Sequence, residues 1–221
     1  MAEILLCCEM MEDEIKLALQ RTDAKLPVEW VDAGLHEYPD KLREKLEQRI
    51  SELEKDYDTI LLGFCLCGNA LVGIGSEKAR LVAPRYDDCI RMLMCQCPGK
   101  LPDMDCHYMY FTDGWTSHGE FIAKAYQRTC DKFGEKKAKK IYKTMLKNYE
   151  GFCLVDTGAF DLEKGRQSVK GTAEILDLGY TEAKGSIRIL EKLLRREWDD
   201  EFYVLEPGEK FQQMEFLRHP E

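Results

Sequence analysis

Thr59-Ile60-Leu61-Leu62-Gly63-Phe64-Cys65-Leu66-Cys67-Gly68-Asn69 is the stretch that decides how this chain is read. A threonine and three apolar residues give way to a glycine, two thiols and a second glycine. A short continuous apolar run bounded by turn residues reads as a strand buried on both faces. The pattern recurs. Ile4-Leu5-Leu6 ends in Cys7 and Cys8, and Leu81-Val82-Ala83 is followed at a short distance by Cys89. Parallel strands of one sheet put their carboxyl ends on a common edge, where open α/β sheets bind ligands. The thiols are therefore expected to converge on one site.

Helices separate these runs. Met11, Ile15, Ala18 and Leu19 mark one amphipathic face, and Leu42, Leu46, Ile50 and Leu53 mark a clearer one. Val28–Val31 reads as a further strand. So do Tyr108–Phe111, Phe152–Val155 and Phe202–Leu205. Gly68 to Gly75 reads as a loop with a short helix, and Ile90–Met94 as a helix broken by Cys97-Pro98-Gly99. A helical stretch covers roughly 120–149, with a break near Gly134, and Ile187, Leu190, Leu193 and Leu194 mark a last helix. Alternating strands and helices predict an α/β protein with a mainly parallel, Rossmann-like sheet and flanking helices. The length fits a single domain over 1–221 with a helical insertion at about 118–150.

Bulk properties exclude several classes. A net charge of −9 argues against non-specific nucleic-acid binding. No apolar run approaches the roughly 20 residues of a membrane span, and the first residues do not read as a secretion signal. The expected location is cytoplasmic. There, ten cysteines are expected to be free, metal-bound or redox-active and not paired in structural disulfides. Lys136-Lys137-Ala138-Lys139-Lys140, with Lys143 and Lys147, reads as a solvated helix face open to an acidic partner. No phosphate-binding glycine motif occurs.

The candidate metal ligands are Cys8, Cys65, Cys67, Cys89, Cys95 and Cys97, with Cys7 as a further thiol. Cys-x-Cys is not the spacing of a zinc ribbon, and no run matches a ferredoxin, so ligands must be gathered from separate strand ends. Cys106-His107 adds soft ligands, while Cys130 and Cys153 read as core. Asn69, Arg85, Asp88 and Trp115 follow predicted strands and are expected to rim the same cavity, as is Asp156. A thiolate-dominated set favours an iron–sulfur cluster. Zinc is the alternative cofactor, with three thiolates and an open position. A non-metal thiol redox protein is a third reading.

These motifs also carry a resemblance. Leu62-Gly63, Cys67-Gly68-Asn69 and Leu71-Val72-Gly73, then Pro84-Arg85 and Asp88-Cys89, then Tyr110, Thr112 and Gly114-Trp115 resemble the domain of unknown function 1638 family. The similarity spans most of residues 4 to 205. The family's cysteines correspond to Cys8, Cys67 and Cys89, and Asp87 stands where the family usually has histidine. The resemblance implies a prokaryotic, anaerobic setting near corrinoid-dependent methyl transfer. Corrinoid methyl-transfer proteins are then the expected partners, with a zinc-thiolate methyltransferase-like enzyme and a non-catalytic partner of a corrinoid protein as the alternative functions.

Overall fold

The computed structural model describes residues 2–98, 100, 102–118 and 122–217. Gly99 and the start of the helical stretch at Glu120 lie outside them. The chain runs β1 (Glu3–Cys8), α1 (Glu12–Thr22), β2 (Val28–Val31), α2 (Pro39–Leu53), β3 (Thr59–Gly63), β4 (Arg80–Pro84) and α3 (Cys89–Met94). It continues with β5 (Tyr108–Phe111), α4 (Asp113–Ser117), α5 (Ile122–Phe133), α6 (Glu135–Met145), β6 (Gly151–Asp156), α7 (Leu162–Ile175) and β7 (Gly179–Lys184). α8 (Arg188–Arg195), β8 (Phe202–Leu205) and α9 (Gln213–Leu217) complete it.

The strands form two sheets, where the sequence had suggested one series. The first has the order β2-β1-β3-β4-β8, parallel except for β8, which pairs antiparallel with β4. The second is β5-β6-β7, all parallel. Apolar runs identify strands, but nothing in a run states which sheet it joins. The fold is mixed α/β with mostly parallel sheets and flanking helices.

In the order 2-1-3-4 the strands are added in opposite directions on the two sides of β1, which creates a topological switch point. Its physical basis is visible in the packing. Alternate side chains of β1 face opposite sides, as the strand's period of two requires. Leu6 and Cys8 join Leu42, Leu46 and Ile50 of α2 on one face. Leu5 and Cys7 join Ile15 and Ala18 of α1 and Leu190 and Leu193 of α8 on the other. The chain thus changes faces between the two helices, and the carboxyl ends of β1 and β3 flank the switch point. Gly63 permits this pairing, because a Cβ there would sit 2.5 Å from the Cys7 Cβ.

Connections after the strands join the two sheets. Thr157, just past β6, donates a 2.8 Å hydrogen bond to Glu14 of α1. Ser186 N–H donates to the Leu93 carbonyl at 2.7 Å, and Gln96 donates to the Lys184 carbonyl at 2.8 Å. Gly114 of α4 packs so closely that a Cβ would run into the Met10 carbonyl. The break between α5 and α6 falls at Gly134, whose φ is 79°. Residues 68–75 form turns and no helix.

Candidate functional site

The carboxyl ends of β1, β3 and β4 bring four thiols together. Cys8 is the last residue of β1. Cys65 and Cys67 lie in the turn after β3, and Cys89 opens α3 after β4. The turn is drawn toward the loop after β4 by the Leu66 N–H, which donates to the Tyr86 carbonyl at 3.0 Å. As a result the Cys67 and Cys89 sulfurs stand 3.8 Å apart. Both are half-buried, whereas Cys8 and Cys65 are buried at 3% and 0% exposure.

The backbone at this turn is unusual. Cys67, Gly68 and Asn69 are consecutive left-handed residues, with φ of 47°, 63° and 72°. Left-handed geometry is easy for glycine, tolerable for asparagine and unfavourable for cysteine by roughly 1 kcal/mol or more. Strain of this kind persists where the surroundings fix it, and here it sets the Cys67 sulfur beside Cys89.

The four sulfurs influence one another. The Cys65 and Cys67 thiols, bonding to the Cys89 sulfur, hold Cys89 well below the ordinary thiol range despite its burial. The nearby His36 acts in the same sense. Burial, followed by the charge on Cys89, pushes Cys8 up to about 12. Cys65 is raised by burial and by Cys89, and Cys67 by its bond to Cys89 and then by burial. Of the four, Cys89 is therefore the sulfur that ionises most readily.

Apolar and aromatic groups wall the site. Trp115 packs against the core that contains Cys8 and Cys67, and also against the core of the second sheet. The His36 ring meets it edge-on at 4.8 Å between centroids. Gly68 abuts Pro39 at the start of α2. His36 was missed in the sequence. Its signal was its place just after β2, on the same sheet edge as the thiols.

The other predicted residues lie elsewhere or act differently. Asn69 is exposed, and its carbonyl accepts from Arg43 at 2.9 Å. Asp88 caps α3 by accepting the Arg91 N–H at 2.7 Å. Arg85 turns toward β8, donating to the Phe202 carbonyl at 3.2 Å and lying over the Tyr203 ring. Cys7 points to the opposite face and donates to the Glu29 carbonyl. Cys95 sits in a separate polar network, 3.3 Å from both Tyr86 Oη and Arg188 Nη2. That network is closed by Glu201, which Arg188 grips through both guanidinium nitrogens and Lys192 reaches at 2.7 Å. Cys97 is exposed, and its carbonyl accepts from the Cys95 thiol. Asp156 pairs with Lys184 at the edge of the second sheet.

Among the described residues, one trio of His, Cys, Asp or Glu has ligand atoms all within 4.8 Å of one another: the exposed Asp105, Cys106 and His107. A local turn explains it, since Asp105 Oδ1 accepts the His107 N–H at 2.8 Å. No three of the strand-end sulfurs close to that degree. An ion on the Cys67–Cys89 pair would therefore draw in a third sulfur by a side-chain adjustment. The donor chemistry fits a soft metal, since thiolates select zinc, iron–sulfur or copper(I) over hard cations.

The family model described as "Protein of unknown function (DUF1638)" matches residues 30–194, and the chain belongs to that family. No curated protein and no solved structure matches it. Among the described residues no helix is long and apolar enough to cross a membrane.

Proposed function

We propose that the protein is a thiolate metal-binding protein whose ion sits at the β1/β3 switch point. Cys67 and Cys89 are the primary pair, and Cys8 or Cys65 supplies the third sulfur. The observation that carries the reading is the 3.8 Å separation of the Cys67 and Cys89 sulfurs. Two thiolates about 2.3 Å from one tetrahedral zinc stand about 3.8 Å apart, the edge of that tetrahedron. This favours a single ion. The all-sulfur donor set supports the second reading, an iron–sulfur cluster.

When bound, such an ion with an open position acts as a Lewis acid that lowers the pKa of a substrate thiol or water. The chain's own residues hold the sulfurs, Trp115 packs against the core that contains Cys8, and the His36 ring meets Trp115 edge-on. In the anaerobic one-carbon setting that the family resemblance implies, methyl transfer to a thiol is the corresponding reaction class, and a corrinoid protein the corresponding partner. Free thiols on ten cysteines suit a reducing, cytoplasmic compartment.

Oxygen-free purification followed by metal and acid-labile sulfide analysis tests the proposal. Zinc without sulfide, lost in Cys67→Ser and Cys89→Ser, is the expected result. Iron with sulfide in the same proportion and the same dependence selects the cluster. Protein that neither carries nor takes up metal overturns both.

A further inference from the structure

We propose that Cys67 and Cys89 are also a peroxide-oxidised dithiol, which closes to a disulfide and withdraws both sulfurs from metal binding. The disulfide stands on its own geometry; only the release of metal rests on the reading above. The two sulfurs already stand 3.8 Å apart, and closure to the roughly 2.05 Å of a disulfide needs a movement of about 1.8 Å. They belong to different segments, the turn after β3 and the start of α3. Both are half-buried, so a small oxidant reaches them.

The neighbouring thiols are less suited. Cys8 and Cys65 are buried, and the Cys65 thiol contacts Met92 Sδ at 3.7 Å. Cys7 faces the other side of the sheet. Cys95 is buried and engaged by Arg188, Tyr86 and the Cys97 and Lys100 carbonyls. The exposed Cys97 and Cys106 are the natural competitors for oxidant.

The chemistry balances with a hydroperoxide as oxidant. The Cys89 thiolate attacks one peroxide oxygen; an S–O bond forms, the O–O bond breaks, and hydroxide leaves. The sulfur of Cys67 then attacks the sulfenic sulfur of Cys89. The S–S bond forms, the S–O bond breaks, and a second hydroxide leaves. The two hydroxides take up the two thiol protons. Two thiols and one hydrogen peroxide give one disulfide and two waters, with two electrons passing from sulfur to oxygen.

The test uses the full chain, reduced and metal-free, treated with stoichiometric hydrogen peroxide and then blocked, digested without reductant and mapped by mass spectrometry. A Cys67–Cys89 crosslink reversible by dithiothreitol is expected. Cys67→Ser should lose the crosslink and leave Cys89 trapped by dimedone as a sulfenic acid. Cys97→Ser combined with Cys106→Ser should leave the crosslink intact. Oxidation of Cys97 or Cys106 while Cys67 and Cys89 remain fully alkylatable would overturn the proposal, as would a crosslink to a different partner. A parallel arm treats zinc-loaded protein and follows zinc with a chromophoric chelator. Release in step with the crosslink supports the coupling, and crosslinking without release overturns it. Failure of the protein to load zinc would strike the metal reading alone, because the metal-free arm still reports on the disulfide.

Discussion

Replacing Glu14 by glutamine should stabilise the protein above neutral pH and do little below pH 5. Glu14 lies at the start of α1 with no solvent exposure. Its Oε1 accepts the Thr157 hydroxyl, and its Oε2 has no partner. Burial raises its carboxyl from 4.5 to about 7, against the pull of the Thr157 bond, and Asp13 and Asp113 add to the rise. The sign follows. Between these two values the folded state holds a proton that the unfolded state has lost. Stability is therefore highest below the unfolded value and declines as pH rises through the folded one. The full loss corresponds to about 3 kcal/mol, at 1.36 kcal/mol per pH unit of difference. Glutamine keeps an acceptor for Thr157 and cannot ionise. Urea unfolding followed by tryptophan fluorescence at pH 5 to 9 gives the comparison. The stability of the variant relative to the parent should grow by about 3 kcal/mol across that range. A constant difference would refute the reasoning, since only an ionising Glu14 makes it depend on pH.

Further outcomes follow from other features. Cys67→Gly removes a strained left-handed cysteine, so it should leave stability unchanged or raise it by up to about 1 kcal/mol while abolishing metal retention; metal analysis beside urea melts checks both. Gly114→Ala forces a methyl group into the Met10 carbonyl where the sheets meet and should cost about 1–3 kcal/mol in the same melts. Arg188→Met strips a buried carboxylate of its bidentate partner and should cost about 3–5 kcal/mol at pH 7. Because Arg188, Lys192 and Tyr86 hold Glu201 down to about 2 against its burial, that contribution should fade as pH falls below 4.5. Arg85→Ala should leave metal content unchanged, because its guanidinium is engaged with β8.

The strand ends that build the site were legible, because each is an apolar run stopped by glycine, proline or cysteine. The second sheet was legible only in β5 and β6, and neither its separateness nor β7 and α7 could be read. β7 reads Gly-Tyr-Thr-Glu-Ala-Lys, a largely exposed edge strand without an apolar run. α7 buries Gly165, Val169, Thr172 and Ala173, residues too small and polar to mark a helical stripe. Cys95, expected among the ligands, stands apart from Cys89 and the other thiols. A helix rises about 1.5 Å per residue, so α3 carries Cys95 roughly 9 Å away, toward Arg188. Arg85 was expected over the thiols, but β8 returns antiparallel beside β4 and offers it a carbonyl and an aromatic ring.

That antiparallel return also bears on how the chain is made. β4 is finished at Pro84, but the strand that covers its outer edge begins only at Phe202. At about 10 residues per second, a ribosome needs roughly 12 s to deliver it. For that interval Leu81, Val82 and Ala83 belong to a strand with an unpaired row of amides and carbonyls, the kind of edge that recruits other chains. In that window the β4 edge is open to intermolecular pairing, and a chaperone that shields it should raise yield.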